Sequence, residues 1–157
     1  MAEVALRPVE DSDLDALFDQ MRDPESVWMA AFTAKDPNDR DAFDAHMSKV
    51  RTASDGTMRA VIRGVRLVGS IASFVRESDT EITYWIDRSV WGQGVASQAL
   101  ALFLDVVSVR PMYARAASDN VGSLRVLQRA DFAIIGTEIS YANARGTEIE
   151  ETILRLG

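Results

Sequence analysis

A glycine-rich segment at residues 91–97 has the composition of a loop that binds an anion through its backbone. It lies between a strand predicted over 81–86 and a helix predicted to run to about Ser108. Glycine lets the backbone approach a ligand closely, and the first turn of a helix carries amide N–H groups without partners inside the helix. These donors and the helix dipole suit a phosphate. The segment, called the phosphate loop below, consists of Trp91, Gly92, Gln93, Gly94, Val95, Ala96 and Ser97.

Two common phosphate-binding motifs do not fit this loop. A Walker loop ends in Gly-Lys-Ser or Gly-Lys-Thr, and the phosphate loop contains no lysine. A dinucleotide fingerprint needs a third glycine and an acidic residue about 20 positions further on. Ser97 replaces that glycine, and residues 112–114 contain no acid. A plain turn between strand and helix, whose glycines serve geometry alone, remains the structural alternative.

A third pattern fits the loop, and a second motif downstream reinforces it. The pattern Arg/Gln-x-x-Gly-x-Gly/Ala of the GNAT acyltransferases is met at Gly94 and Ala96, although Trp91 stands where Arg or Gln is usual. Residues 84–87 and 91–100 closely resemble the RimJ/RimL-like branch of that family. Residues 120–132 resemble the family element Asn-x-x-Ser/Ala-x-x-Leu/Val-Leu/Tyr-x-Lys/Arg-x-Gly-Phe, with Asp131 in place of the glycine. The sequence is therefore identified as a member of this family, with one domain expected over residues 1–157.

The resemblance implies the GNAT acyltransferase fold, a mixed α/β architecture with a twisted central sheet of six to seven strands and about four flanking helices. Its central parallel strands splay apart, and the pantetheine arm of the acyl donor enters the gap. The residues implied to contact the donor beyond the phosphate loop are Trp85, Ile86, Asp87, Asn120 and Ser123. In the family the segment after the first helix lines the acceptor pocket. The residues implied there, whose alternative is packing over the core, are Trp28, Met29 and Phe32.

The implied activity is acetyl-CoA-dependent N-acetylation of a primary amine, on a protein N-terminus or a small molecule, by direct attack in a ternary complex. The residue inventory agrees, because the chain has no cysteine and no Ser-His-acid set for covalent catalysis. Holding both reactants in line is worth up to about 7–11 kcal/mol. A backbone N–H near Ile86 is expected to stabilise the oxyanion, with acetyl-CoA as co-substrate and no metal. The alternative is an acyl-CoA-binding module of the same fold without catalytic activity.

Two glutamates are candidates for the general base. Glu81 is the first choice because it lies on the strand that leads into the site, from which it would act through water; its alternative is a solvated strand position. Glu138 is the second choice. RimJ/RimL-like relatives often carry a glutamate just before an aromatic residue on the next-to-last strand, where this chain has Ser140 before Tyr141.

One serine is the candidate for the general acid. Many GNAT members have a tyrosine seven residues after the motif asparagine, and this chain has Leu127 there. The RimJ/RimL-like branch often has a serine at the position of Ser123, one helical turn after Asn120. The resemblance therefore implies that Ser123 protonates the departing thiolate, and a small residue chosen for close packing is the alternative.

Hydrophobic periodicity predicts the elements that position these residues. The predicted strands are 4–8, 58–63, 65–75, 80–86, 112–117, 132–142 and 147–156. A first helix is expected to be capped by Ser12, and a second over 39–51 to carry His46 on its buried face. The helix after the phosphate loop is expected to bury Leu102 and Val106, and Val121 is expected to face the core from the next helix.

Length and charge bound the remaining properties. The chain of 157 residues, 47% of them apolar, is long enough for one domain with a sizeable core. Its 17 basic and 24 acidic residues give a net charge of −7, which argues against nucleic acid as a ligand and favours cationic acceptors. Zero cysteines and one histidine exclude thiolate and multi-histidine metal sites. Without an apolar run near 18 residues, a cytoplasmic protein without a membrane partner is expected, and a homodimer is the expected assembly.

Overall fold

The structure is a computed structural model that describes residues 3–157. Seven strands form one sheet in the order β1-β2-β3-β4-β5-β7-β6. They are β1 Val4–Pro8, β2 Thr57–Arg63, β3 Arg66–Arg76, β4 Asp79–Ile86, β5 Met112–Ala117, β6 Ala133–Ala142 and β7 Thr147–Leu156. The strands lie within a residue or two of the predicted ones.

Helices cover both faces of the sheet. They are α1 Leu14–Met21, α2 Pro24–Ala30, α3 Arg40–Thr52, α4 Val95–Val106 and α5 Val121–Arg129. Strand side chains alternate between faces. Accordingly, Val61 packs with α4 and α5 in the larger core cluster, and its neighbour Ala60 packs with α1 and α3 in a second one.

The fifth helix, α2, is one more than the sequence predicts. It has seven residues, too few for a periodic pattern, and its start is set locally. The carboxylate of Asp23 accepts the Ser26 N–H over 3.0 Å, and Pro24 occupies the first helical position.

The two central strands, β4 and β5, pair in parallel and then separate. Their register joins Thr80–Ile82 to Met112–Ala114, whereas β4 continues to Ile86 and β5 to Ala117. The other neighbouring strands of the described sheet pair antiparallel. The predicted splay is confirmed, and it opens a gap at the carboxyl end of β4.

Several predictions about helix faces are wrong. Leu102 and Val106 are 38% and 49% exposed, because α4 turns a narrower stripe, with Leu100 in it, toward the sheet. Val121 is exposed at the first position of α5, where the helix has not yet reached the core. His46 is exposed, since α3 lies over β2 at one side of the sheet and fully buries only Met47.

The start of α1 also differs from the prediction. A short 3₁₀ turn over Asp11–Asp13 precedes the helix, so Ser12 is not the cap. Asp13 takes that place. Its carboxylate accepts the Glu10 N–H over 2.8 Å and pairs with both terminal nitrogens of Arg7, which holds the pKa of Asp13 below its usual range.

Candidate functional site

The phosphate loop connects the open end of β4 to the first turn of α4. A 3₁₀ turn over Arg88–Val90 leads into it, and α4 begins at Val95. Gly92 and Gly94 adopt φ of 75° and 79°, a left-handed region that favours glycine, and Gly94 is the N-cap residue. Because glycine has no side chain to cap the helix, the first-turn N–H groups remain available to an anion.

The end of β4 directs backbone groups into the gap that opens between β4 and β5. Asp87 donates its N–H to the Val68 carbonyl of β3 over 2.7 Å. Consecutive strand residues direct their backbone groups to opposite neighbours, so the N–H and C=O of Ile86 face away from β3, into the gap. The indole N–H of Trp91 donates a hydrogen bond to the Ile86 carbonyl over 2.9 Å. The Ile86 N–H is thus the backbone group of this residue that faces the gap without the bond that its carbonyl makes to Trp91.

A cavity of about 500 Å³ runs from this strand end to the phosphate loop and α5. It will be called the donor cavity. Eleven of the residues predicted from the sequence line it, namely Met29, Trp85, Ile86, Trp91, Gly92, Gly94, Val95, Ala96, Ser97, Asn120 and Ser123. The lining residues that the sequence did not predict are Ser26, Ala30, Tyr84, Val90, Gly122, Arg125, Val126 and Arg129.

Arg125 and Arg129 are the only ionisable groups of the lining apart from the phenol of Tyr84. They lie one helical turn apart on α5, so both can approach one ligand. The phosphate loop itself carries no charged residue. The sequence offered no signal for these arginines, because neither follows a predicted site residue by three or four positions.

Two hydroxyl groups meet at the wall of the cavity. The Tyr84 and Ser123 hydroxyl oxygens are 2.8 Å apart, and the backbone carbonyl of Ser123 is 3.4 Å from the phenol. Burial raises the pKa of Tyr84 to about 12. Asn120 accepts the Ser123 N–H at the start of α5 and donates to the Met29 carbonyl over 3.4 Å. Tyr84 was detectable as the residue two positions before Ile86 on the same strand face.

Comparison with known proteins identifies the family to which the chain belongs. A family model described as an acetyltransferase (GNAT) domain matches residues 3–133. The chain belongs to the GNAT acetyltransferase family. The family predicted from the sequence is confirmed, and with it the acetyltransferase activity that the family carries.

Solved structures share the fold at low identity. The RimL ribosomal L7/L12 α-N-protein acetyltransferase in complex with coenzyme A has a TM-score of 0.82 and 19% identity, covering 98% of this chain and 93% of that one. RimJ of Mycobacterium smegmatis in complex with a CoA disulfide has a TM-score of 0.81 and 21% identity, covering 98% of this chain and 81% of that one. Spermidine N-acetyltransferase of Vibrio cholerae in complex with CoA and spermine has a TM-score of 0.83 and 15% identity, covering 98% of this chain and 94% of that one. No curated protein matches the chain significantly.

The GNAT domain brings its two candidate bases to one arginine. Glu81 is 6% exposed and lies on the face of β4 opposite Tyr84, with Arg115 Nε at 3.6 Å and Arg76 Nη1 at 3.8 Å. Burial raises the pKa of Glu81 in spite of these arginines. Arg115 Nη1 also lies 2.8 Å from the exposed Glu138 carboxylate. Neither glutamate lines the donor cavity, and their catalytic roles stay predictions.

Other predicted contacts of the GNAT domain are not part of the lining of the donor cavity. Asp87 faces β3 and accepts from Arg66, and Gln93 accepts from Arg63 on β2. Phe32 packs on the small cluster of Ala31, Ala117 and Ala142.

Trp28 is 55% exposed and forms part of a clamp around Arg145 in the β6–β7 turn. The Arg145 guanidinium lies 4.4 Å from the Trp28 ring centre, donates to the Trp28 carbonyl over 2.8 Å and pairs with Asp119. This pairing lowers the pKa of Asp119. The clamp fixes α2, which carries Met29 into the cavity wall.

Over residues 3–157, the side chains of His, Asp and Glu form no group of three that would hold a metal ion. Within the same residues, none of the helices is both long and apolar enough to cross a membrane.

Proposed function

We propose that this GNAT domain moves the acetyl group of acetyl-CoA to a primary amine by direct attack in a ternary complex. The observation that carries the proposal is the continuity of the donor cavity. One cavity joins unpaired strand backbone at Ile86, free helix amides at α4 and a wall with two arginines and no carboxylate. Strand backbone suits a pantetheine amide, and the helix start suits a pyrophosphate. Coenzyme A is bound in the similar RimL and RimJ structures.

The donor-binding residues follow from this arrangement. First-turn amides at Val95, Ala96 and Ser97 would hold the pyrophosphate, with the glycines of the phosphate loop allowing close approach. Arg125 and Arg129 would supply the positive charge that a phosphate loop with Trp91 at its first position lacks. Trp85, Ile86 and Asn120 would line the pantetheine arm. Asp87 and Gln93 support the loop from outside the cavity.

The chemistry requires an oxyanion donor, a proton acceptor and a proton donor. The Ile86 N–H is proposed as the oxyanion donor because it faces the gap without a strand partner. Ser123 is proposed as the proton donor to the thiolate, since its hydroxyl lines the cavity. Glu81 is proposed as the base through water. Its raised pKa supports this role, because a base works best with a pKa nearer the operating pH. Glu138 is the second candidate, on the same arginine.

A cationic amine is the proposed acceptor, entering beside Met29 of α2, with Trp28 and Phe32 supporting that wall. The net charge of −7 favours such acceptors. The similar proteins act on a ribosomal-protein N-terminus and on spermidine, so both peptide and small-molecule amines are candidates. A cytoplasmic location, a homodimer and the lack of nucleic-acid or membrane partners stay predictions.

The test combines binding and turnover. Acetyl-CoA at about 100 times its Kd should raise the free energy of unfolding by about 2.7 kcal/mol, which moves Tm by a few degrees. Release of free thiol is then measured with acetyl-CoA and a panel of N-terminal peptides, spermidine and amino acids. Thiol release with an amine supports the enzyme. A thermal shift without turnover for any amine would instead identify a binding module, and no shift at saturation would overturn the donor site.

A further inference from the structure

The position at which many GNAT members carry a tyrosine as general acid holds a buried leucine in this chain. Leu127 stands there and is 1% exposed in the core, so no group at that position of α5 reaches the donor cavity. Four hydroxyl-bearing side chains line the cavity, namely Ser26, Tyr84, Ser97 and Ser123. The Ser26 hydroxyl donates a hydrogen bond to the Asp23 carboxylate over 2.9 Å, and Ser97 lies in the phosphate loop. Tyr84 and Ser123 therefore remain at the gap where the thioester would lie.

The geometry around Ser123 favours one direction for the hydrogen bond between the two hydroxyls. Tyr84 Oη lies 2.8 Å from Ser123 Oγ and 3.4 Å from the Ser123 carbonyl, which can only accept. A phenol proton directed to the Ser123 side satisfies both oxygens. When Ser123 Oγ accepts this proton, its own O–H is free to point into the cavity. Because burial keeps the phenol protonated, its proton is available for this bond across the physiological pH range.

We propose that Tyr84 is a positioning residue, which donates to Ser123 Oγ and so directs the Ser123 proton at the sulfur of the departing CoA. The inference rests on the proposed function. As the tetrahedral intermediate collapses, the C–S bond breaks and its electron pair stays on sulfur. Ser123 gives its proton to sulfur and takes the surplus proton of the former amine nitrogen, so the proton balance closes. Tyr84 keeps its proton and stabilises the negative charge that passes through Ser123 Oγ.

A double-mutant cycle tests the coupling. Tyr84→Phe removes one hydroxyl and keeps the ring, Ser123→Ala removes the other, and the third variant carries both changes. Tyr84→Phe is expected to lower kcat about 10-fold, with KM for acetyl-CoA changed less than about twofold. Ser123→Ala should lower kcat further, and the double variant should be no slower than Ser123→Ala, because Tyr84 acts only through Ser123. Tyr113→Phe on β5, a tyrosine outside the cavity lining, is the matched control and should leave kcat unchanged.

The outcomes separate the two claims. If Ser123→Ala lowers kcat but Tyr84→Phe does not, or if the double variant is slower than Ser123→Ala by the whole Tyr84→Phe factor, the positioning role is overturned while Ser123 stands. If Ser123→Ala keeps full kcat, Ser123 is not the proton donor and both claims fall. Acetyl-CoA titration of each variant verifies that the donor cavity has folded. A Tyr84→Phe effect confined to KM would identify a purely structural bond and would also overturn the inference.

Discussion

The indole N–H of Trp91 is bonded to the backbone carbonyl of Ile86 over 2.9 Å, and this contact joins the phosphate loop to the open end of β4. Trp91 stands where the family pattern usually has Arg or Gln. Its side chain therefore contributes a bond within the protein instead of a charge for the ligand. The bond also leaves Ile86 with one free group toward the gap, its N–H.

Trp91→Phe should weaken acetyl-CoA binding about 3- to 10-fold, because phenylalanine keeps an aromatic side chain but leaves the Ile86 carbonyl without its partner. Isothermal titration calorimetry gives the Kd. Trp28→Phe is the matched control, since the Trp28 ring lies outside the donor cavity beneath Arg145. Equal affinities for the two variants would show that the indole bond does not support the donor site.

Gly94→Ala should lose both stability and acetyl-CoA affinity. An L-residue at φ of 79° costs about 1–2 kcal/mol and would shift the first turn of α4. Gly146→Ala carries a similar backbone cost at φ of 65°, with open space around the new methyl group, and it lies in the β6–β7 turn. Both variants should melt a few degrees lower. Acetyl-CoA affinity should fall about tenfold in Gly94→Ala alone; the same loss in Gly146→Ala would contradict the assignment.

Replacing Arg125 or Arg129 by Gln should raise the Kd for acetyl-CoA, each about 3- to 10-fold at low salt. The loss should shrink as salt is added, because exposed charges are screened within about 10 Å at 0.1 M ionic strength. Arg155→Gln is the control, an exposed arginine on β7 that lies over Tyr113 instead of the cavity. A salt dependence identical in all three variants would remove the phosphate-binding role.

Glu81→Gln should change the pH dependence of both stability and activity. The folded-state pKa of Glu81 is raised by burial, so its contribution to stability is present below the unfolded pKa and is lost as pH rises through the folded pKa. The unfolding free energy of the wild type should therefore fall relative to Glu81→Gln as pH rises from about 4.5 through that window. Urea unfolding at a series of pH values measures the difference.

If Glu81 is also the base, kcat/KM should rise with pH through the same raised pKa, and the ascending limb should vanish in Glu81→Gln. Glu138→Gln is the comparison, because the exposed Glu138 carboxylate pairs with Arg115, the arginine that also lies near Glu81. A limb that survives in Glu81→Gln and disappears in Glu138→Gln would transfer the role to Glu138.

Arg145→Lys should raise KM for the acceptor about fivefold with KM for acetyl-CoA unchanged. Lysine keeps the charge but loses the paired bonds to Asp119 and the stacking on Trp28 that fix α2. Arg40→Lys is a matched control, since Arg40 also pairs with carboxylates and lies over aromatic rings, but on α3. Steady-state kinetics with both substrates varied gives the two KM values for each variant. Equal KM values for the acceptor in Arg145→Lys and Arg40→Lys would count against the clamp.

Local signals in the sequence were sufficient for the elements and for the phosphate loop. Alternation located the seven strands, and Gly92 and Gly94 marked the loop, because each pattern depends on a few adjacent residues. The seven residues of α2 carried no such period. The splay of β4 from β5 was available only through the family resemblance, since nothing in residues 80–117 states where pairing stops.

The sequence by itself determined the family, the donor class and the place of the phosphate loop, because these depend on residue types at short, fixed spacing. Only the tertiary structure decided which side chains share the donor cavity. Tyr84 meets Ser123 from 39 positions away, Arg125 and Arg129 line the cavity from α5, and Glu81 lies on the opposite face of β4. Each of these placements depends on strand register and on how helices pack across the sheet, and no local pattern encodes those distances.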